Sequence, residues 1–212
     1  MCRGLTLLEL LVSIAVLSVL ALVVAGVLPN LQRQAAVGTC LGRIRNLNNA
    51  LLLHVQDQNG VFPALETPEY GNAGNGIWFK YAILLLPYLG LSEEEAERVP
   101  HLFSCPLVNN NVNTPSYIFS AANQYDPKYP GIAGARLSLV AQPSRTITLV
   151  EVSAVFPTSW HYPGSTNIFD GARNVAAFAD GHAACLPFHY DGTNLSISSD
   201  PPAGFDYRWS PY

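Results

Sequence analysis

The feature that most constrains this chain is a long apolar segment near its amino terminus. Between Leu10 and Leu28 there is no charged residue, and a single acid, Glu9, comes immediately before the segment. As an α-helix, residues 5–28 would be roughly 36 Å long, which is enough to cross a hydrocarbon core of about 30 Å. A carboxylate at the start of such a segment is costly in lipid, so we expect it to have a functional partner.

A partner for Glu9 would be created if the chain were cut between Gly4 and Leu5. The new amine of Leu5 would lie about one helical turn from Glu9 of its own chain, and it could also meet Glu9 of a neighbouring subunit. On this hypothesis residues 1–4 are a short leader with one basic residue, Arg3. Glu9 would then be an assembly residue rather than a catalytic one.

The residues Gly4-Leu5-Thr6-Leu7-Leu8-Glu9 and the apolar run after them resemble the amino-terminal signal of type IV pilins and pseudopilins. The resemblance implies that a prepilin peptidase cuts after Gly4 and methylates the amine of Leu5. It also implies a location in the inner membrane before assembly and in a periplasmic or extracellular filament afterwards. The rival interpretation is an uncut anchor that holds an envelope binding protein or enzyme, and it predicts an intact Met1 and a dispensable Glu9.

The apolar pattern becomes amphipathic after Pro29. Apolar residues then recur at helical spacing, at Val37, Cys40, Leu41, Ile44, Leu47, Leu51 and Val55. We therefore expect a membrane and filament-core helix over residues 5–29 and an amphipathic continuation over residues 30–59. One stripe of the continuation should dock on a globular head of residues 60–212. Asn59-Gly60 is expected to end the helix.

The head has the sequence pattern of an antiparallel β-sheet. Stretches rich in β-branched and aromatic residues predict strands at residues 116–120, 138–141, 146–152, 174–179 and 182–188. The last two flank Asp180-Gly181, which predicts a two-residue type I′ hairpin. The Pro- and aromatic-rich tail that ends at Tyr212 is expected to lie over the sheet. The predicted fold class is α+β, with the long helix packed on the sheet in the manner of a type IV pilin.

Short motifs in the head carry a second resemblance. They are Phe103-Ser-Cys-Pro106, Ser116-Tyr117, Pro143-Ser-Arg-Thr-Ile147 with Glu151, and Ala177-Phe-Ala-Asp-Gly-His182. These motifs are similar to those of the pilin-like H-x9-DG proteins, which also carry a prepilin-type amino terminus. One position departs from that pattern, because the residue ten before Asp180 is Asp170 rather than His. The nearest upstream histidine is His161.

Several side chains of the head are candidate metal ligands. They are Glu151, His161, Asp170, Asp180, His182, His189 and Asp191. Calcium is the cation that Asp170, Asp180 and Asp191 would favour, although the expectation is that the protein has no cofactor. Asp180 is also explained by the turn alone, and Glu151 is interpreted as a solvated acid at the end of a strand, with a site residue as the alternative.

The four cysteines determine which disulfides the chain can form. Cys2 lies in the leader, Cys40 in the long helix, and Cys105 and Cys185 in the head. Disulfides persist outside the inner membrane, and we predict a Cys105–Cys185 bond, although sequence alone does not fix the connectivity. No Cys-x-x-Cys pair is present, so a zinc ribbon or a thioredoxin-like site is not expected.

Composition argues against two other classes of function. The net charge of -4 gives no support to nucleic-acid binding. The sequence has no Gly-x-Ser-x-Gly, P-loop or His-Glu-x-x-His motif, and the protein is not expected to be an enzyme. The predicted function is that of a structural subunit of a pilus-like or pseudopilus-like filament, assembled from identical or homologous subunits. A minor pseudopilin of a secretion machine is the closest alternative.

Overall fold

A computed structural model describes residues 6–64, 77–92, 94–95, 100–108, 116–162, 164–193 and 195–212. Gly4 and Leu5, the predicted processing residues, lie outside these ranges. The chain divides into two compact units, Met1–Ala36 and Val37–Tyr212. The long helix contributes its first part to one unit and its second part to the other.

Helix α1 (Leu7–Asp57) has 51 residues and continues through Pro29. It ends where the sequence predicts, because Asn59 and Gly60 have positive φ angles of 56° and 77°. The amide of Gly60 donates a hydrogen bond to the carbonyl of Val55 at 2.8 Å, which satisfies one of the last carbonyls of the helix. The backbone can therefore leave the helix without exposing an unpaired buried group.

The second unit contains a four-stranded antiparallel sheet with strand order β1-β2-β3-β4. The strands are β1 (Tyr117–Phe119), β2 (Ile147–Glu151), β3 (Ala172–Phe178) and β4 (Ala183–Phe188). Helix α2 (Ile77–Leu85) precedes β1, and the short helices α3 (Ala122–Tyr125) and α4 (Val152–Val155) lie in the connections from β1 to β2 and from β2 to β3. A long amino-terminal helix with an antiparallel sheet confirms the predicted α+β, pilin-like fold class.

Two local predictions are wrong. The stretch 138–141 is not a strand, because Leu137–Leu139 form a 3-10 turn whose Leu139 amide bonds to the Arg136 carbonyl. The β3–β4 hairpin is not type I′, since Asp180 lacks the positive φ that this turn needs at both central residues. Instead the Gly181 amide bonds to the Phe178 carbonyl, and Gly181 has a φ of 98°, as in a type I turn followed by a bulge.

The sheet is covered on both faces. On the first face the stripe of α1 packs against the strands through Cys40, Ile44, Leu47, Leu51 and Val55, all of which are buried. The second face is covered by the carboxyl-terminal tail, whose Tyr207 and Trp209 are each 1% exposed and pack against Phe188. The tail therefore lies over the sheet, as its composition predicts, and adds two large aromatic side chains to a second hydrophobic core.

A buried polar contact fixes the register of α1 on the sheet. Asn48 is fully buried, and its Nδ2 donates a hydrogen bond to the Phe178 carbonyl at 2.9 Å. Its Oδ1 accepts a hydrogen bond from the Thr148 hydroxyl at 2.6 Å. One side chain of the helix thus bonds to both central strands. The hydrophobic stripe predicted from the sequence does not include this residue, although Asn48 lies one turn after Ile44 on the same face.

We predict that Asn48→Ala lowers the free energy of unfolding of the detergent-solubilised chain by about 1–3 kcal/mol, because it removes two buried hydrogen bonds, to the Phe178 carbonyl and from the Thr148 hydroxyl. Urea unfolding followed by near-ultraviolet circular dichroism measures this change. Asn49→Ala is the matched control, since Asn49 is exposed and adjacent. Equal stability of the two variants would contradict the role given to Asn48.

We also predict that Trp209→Ala lowers the free energy of unfolding by about 3–5 kcal/mol, because it empties the core between the tail and the sheet. Tyr212→Ala should change it by less than about 0.5 kcal/mol, since Tyr212 is 65% exposed. The same urea titration compares them. A Trp209→Ala chain as stable as Tyr212→Ala would show that the tail does not contribute to the core.

Candidate functional site

The amino-terminal end of α1 is organised by a reciprocal pair of polar residues. Glu9 Oε2 accepts hydrogen bonds from the Thr6 amide at 2.8 Å and from the Thr6 hydroxyl at 2.9 Å. The Glu9 amide donates in turn to the Thr6 hydroxyl oxygen at 3.3 Å. This is a capping box, in which Thr6 precedes the helix and Glu9 is its third residue. Its sequence signal is Thr-x-x-Glu before an apolar run, a pattern that the comparison with pilin signals does not require.

The first unit presents a continuous apolar surface. Every Leu, Ile and Val side chain between Leu7 and Leu31 is at least 42% exposed. The hydroxyls of Ser13 and Ser18 donate to carbonyls one turn earlier, at 2.7 and 2.8 Å, so they need no solvent partner. By length and composition this helix can cross a membrane, and its most apolar window is not buried within the structure.

A second group of reactive side chains lies inside the head. Cys40 on α1 and Cys105 form a disulfide with a Cα–Cα distance of 5.3 Å. The predicted Cys105–Cys185 bond is therefore wrong. Cys105 is held beside β1, because its amide donates to the hydroxyl of Ser116 at 2.5 Å. Cys40 is on the buried stripe of α1, so docking of the helix brings it to the same place.

Cys185 is separated from Cys105 by the width of the sheet. It pairs with Val175 in the register of β3 and β4, and β4 is the strand opposite to β1. Three strand spacings amount to about 14 Å, whereas disulfides need Cα atoms within about 7 Å. Cys185 is a free cysteine, and burial raises the pKa of its thiol, which lowers its reactivity.

Glu151 and His161 lie against the disulfide. Both are fully buried, so the interpretation of Glu151 as a solvated acid is wrong. His161 Nε2 is 2.9 Å from each carboxylate oxygen of Glu151 and 3.9 Å from Cys105 Sγ. Glu151 Oε2 also accepts a hydrogen bond from the Val175 amide at 2.8 Å. Position 151 ends β2 between β1 and β3, which explains its burial.

A network of buried polar groups positions His161. The Ser159 hydroxyl donates to the Arg173 carbonyl at 2.6 Å and accepts from the His161 amide at 3.1 Å. Asn174 Nδ2 donates to the Thr158 carbonyl at 2.8 Å. Both contacts hold residues 158–161 against β3. Counting residues back from Asp180 therefore gives no indication of where this histidine lies.

The three aspartates proposed as calcium ligands occupy separate turns. Asp170 Oδ1 accepts from the Tyr190 amide at 2.8 Å, and Asp191 Oδ1 from the Thr193 amide at 2.8 Å. Asp180 Oδ1 accepts from the His182 amide at 3.1 Å and lies 2.6 Å from His182 Nδ1. Among the described residues, the group with metal-ligand atoms close together is instead Cys40, Cys105, Glu151 and His161. Calcium binding by the aspartates stays a prediction.

The Asp-Gly-His motif has a structural explanation. His182 is partly exposed, and its ring stacks on the ring of Phe178 with centroids 4.2 Å apart. Together with the contacts to Asp180, this stacking closes the β3–β4 hairpin. His189 similarly lies 3.1 Å from Asp170 Oδ1. These exposed pairs form two different contacts and do not converge on one ligand position.

Comparison with known proteins addresses the amino-terminal part of the chain. Residues 1–25 match the family model described as the prokaryotic N-terminal methylation motif. No curated protein and no solved structure matches the chain. The matched residues include Gly4, Leu5 and Glu9 and end within α1. The chain therefore carries a prepilin-type cleavage and methylation signal, the signal that marks pilins and pseudopilins as substrates of prepilin peptidase.

Proposed function

We propose that this protein is a structural subunit of a type IV pilus-like or type II secretion pseudopilus-like filament. The observation that carries the proposal is the exposed apolar surface of α1 between Leu7 and Leu31, with a carboxylate at its start. The subunit would reside in the inner membrane after synthesis. It would then enter a periplasmic or extracellular filament built from identical or homologous subunits.

The apolar surface suits two environments in succession, first the membrane and then the filament. In the membrane, lipid would cover the Leu, Ile and Val side chains. In a filament, the same side chains would pack against the equivalent helices of neighbouring subunits, because apolar area exposed to water costs about 25 cal/mol per Å². No charged side chain interrupts the surface between Leu10 and Leu31, so either environment would be accommodated without burying a charge there.

The arrangement of Glu9 supports a pairing role between subunits. Both bonds from Thr6 use Oε2, and Oε1 takes part in neither. A carboxylate has lone pairs for several donors, so an amine from another subunit could bind while the capping box remains. The cleaved amine of Leu5 is the donor that processing would create. Burying either charge without the other would be costly, and so the pair would favour one register of subunits.

The head supports an assembly role because it is attached firmly to the second part of α1. The disulfide between Cys40 and Cys105 and the bonds of Asn48 connect residues 37–57 to the sheet. Contacts between different surfaces of successive subunits generate an open helical filament. We propose that function resides in this assembly and not in catalysis by the head.

The first prediction concerns processing. The native protein should yield an amino-terminal peptide that begins at Leu5 and carries a methyl group, and peptide mass spectrometry measures this directly. Gly4→Val should leave Met1 in place, because a branched side chain would occupy the cut. Gly26→Ala is the matched control and should be processed normally, since a Cβ at Gly26 meets no atom within 4 Å.

The rival interpretation gives a different result in the same experiment. An uncut anchor would retain Met1 in the wild-type protein as well as in the Gly4 variant. That outcome would sink the filament proposal and direct attention to ligands of the head.

The second prediction separates the two tasks of Glu9. Glu9→Gln keeps an acceptor for the capping box but removes the charge, whereas Thr6→Ala removes the cap and keeps the charge. If Glu9 pairs with an amine, Glu9→Gln should weaken subunit association roughly 100-fold or more, because the amine is left buried and unpaired. Thr6→Ala should cost only about 1 kcal/mol of helix stability and still assemble. Sheared filaments are quantified by immunoblot, with processing checked by mass.

Normal filament yield from Glu9→Gln together with loss of filaments from Thr6→Ala would show that capping is what matters. Glu9→Ala, which removes both functions, serves as the reference for complete loss.

A further inference from the structure

We propose that Cys40, Cys105, Glu151 and His161 form a zinc site when the two cysteines are reduced. These residues come from α1, from the segment before β1, from the end of β2 and from the segment before β3. Their ligand atoms all lie within 4.8 Å of one another, and all four residues are buried. This site is independent of the filament function, which rests on the amino-terminal half of α1.

The distances suit a tetrahedral ion of this size. Ligands at the usual zinc distances of about 2.0–2.3 Å have ligand atoms separated by about 3.3–3.8 Å. His161 Nε2 is 2.9 Å from Glu151 Oε1 and 3.9 Å from Cys105 Sγ, which brackets that range. Small movements of three side chains would therefore create the cavity for the metal.

The chemistry of the four groups selects the metal class. Two thiolates and an imidazole are soft or borderline ligands, which favour Zn²⁺ over Ca²⁺ or Mg²⁺. Glu151 Oε2 is already occupied by the Val175 amide, so Oε1 is the oxygen left for the metal. Because all four ligands come from the protein and are buried, the site would be closed and structural, without a position for a substrate.

His161 is able to present an unprotonated nitrogen to the site. In the structure Nε2 faces the carboxylate, and Nδ1 is buried without a hydrogen-bond partner among the described residues. The Glu151 carboxylate favours the tautomer that carries its proton on Nε2, because a carboxylate only accepts hydrogen bonds, but nothing described at Nδ1 prevents the proton from moving there. A metal at Nε2 would leave that proton on Nδ1, and the ring would not have to turn.

The charges around the four ligands are compatible with a bound zinc ion. Two thiolates, one carboxylate and Zn²⁺ sum to a net charge of about -1. Arg43 lies one turn after Cys40 and is half-buried. Its Nη1 donates to the carbonyl of Ser104, the neighbour of Cys105, at 2.5 Å. The guanidinium is therefore bonded to the residue next to Cys105, and its positive charge would offset part of the extra negative charge.

The disulfide and the metal are alternative occupants of the same residues. A dithiol reductant would reduce the Cys40–Cys105 bond by exchange, and the reductant would itself be oxidised to a disulfide. The two thiols formed would then release two protons as they bind Zn²⁺. The disulfide joins two segments, whereas the metal would join four. Either state keeps α1 attached to the head.

The test uses the full chain in detergent, reduced with dithiothreitol that is then removed by anaerobic gel filtration. The parent protein carries Cys2→Ala and Cys185→Ala, so that no thiol other than those of Cys40 and Cys105 competes. Co²⁺ alone is the probe, because tetrahedral cobalt absorbs strongly and thiolate ligation adds a charge-transfer band. The reduced parent should bind one Co²⁺ per chain and lose it to one equivalent of Zn²⁺. The oxidised parent should bind none.

His161→Gln in the reduced parent should weaken binding about tenfold or more, and His189→Gln, a partly exposed histidine of the same head, should not change it. If His161→Gln fails to fold, the melting temperature decides: Zn²⁺ should raise that of the reduced parent and leave that of the oxidised parent unchanged. A folded, reduced parent that binds no Co²⁺, or a His161→Gln variant that binds as tightly as its parent, would overturn the proposal.

Discussion

The head depends on the docking of residues 37–57 of α1 against the sheet. Hydrophobic packing supplies most of the buried area of this contact. Apolar contacts alone, however, would allow the helix to slide along the sheet by one turn. Asn48 removes that freedom, because its amide must meet the Phe178 carbonyl and the Thr148 hydroxyl at the same time. The Cys40–Cys105 bond then makes the docked position covalent. The surroundings of Glu151 and His161 depend on the same docking, since both side chains lie against the disulfide that Cys40 of the docked helix forms with Cys105.

The elements that could be predicted from the sequence are those whose signal lies in a few consecutive residues. The end of α1 at Asn59-Gly60, four of the five predicted strand regions and the hairpin position all depend on residues close together in the chain. The turn type in that hairpin was not predictable in this way, because Asp-Gly suits more than one turn and only the φ of Asp180 distinguishes them. The strand prediction for 138–141 failed for a related reason, since no strand of the described residues pairs with this stretch.

The buried cluster of Cys40, Cys105, Glu151 and His161 could not be predicted from local sequence patterns. Cys40 and Cys105 are separated by 65 positions, and only the docking of α1 brings them together. Glu151 looked like a surface acid because it ends a strand, but that strand is central and its end is covered. The spacing of His161 from Asp180 does not fit the H-x9-DG pattern, whereas the contacts of Ser159 and Asn174 with β3 fix its position. The Thr6–Glu9 cap, in contrast, was readable from four consecutive residues.

The tail on the second face of the sheet has a consequence for biosynthesis. Tyr207 and Trp209 supply large side chains to a core whose other members begin at Ile118. During translation that core cannot close until residues near position 209 have left the ribosome. The apolar segment at the amino terminus will have emerged long before then. Any membrane targeting that occurs during translation would therefore act on a chain whose second core has not yet closed.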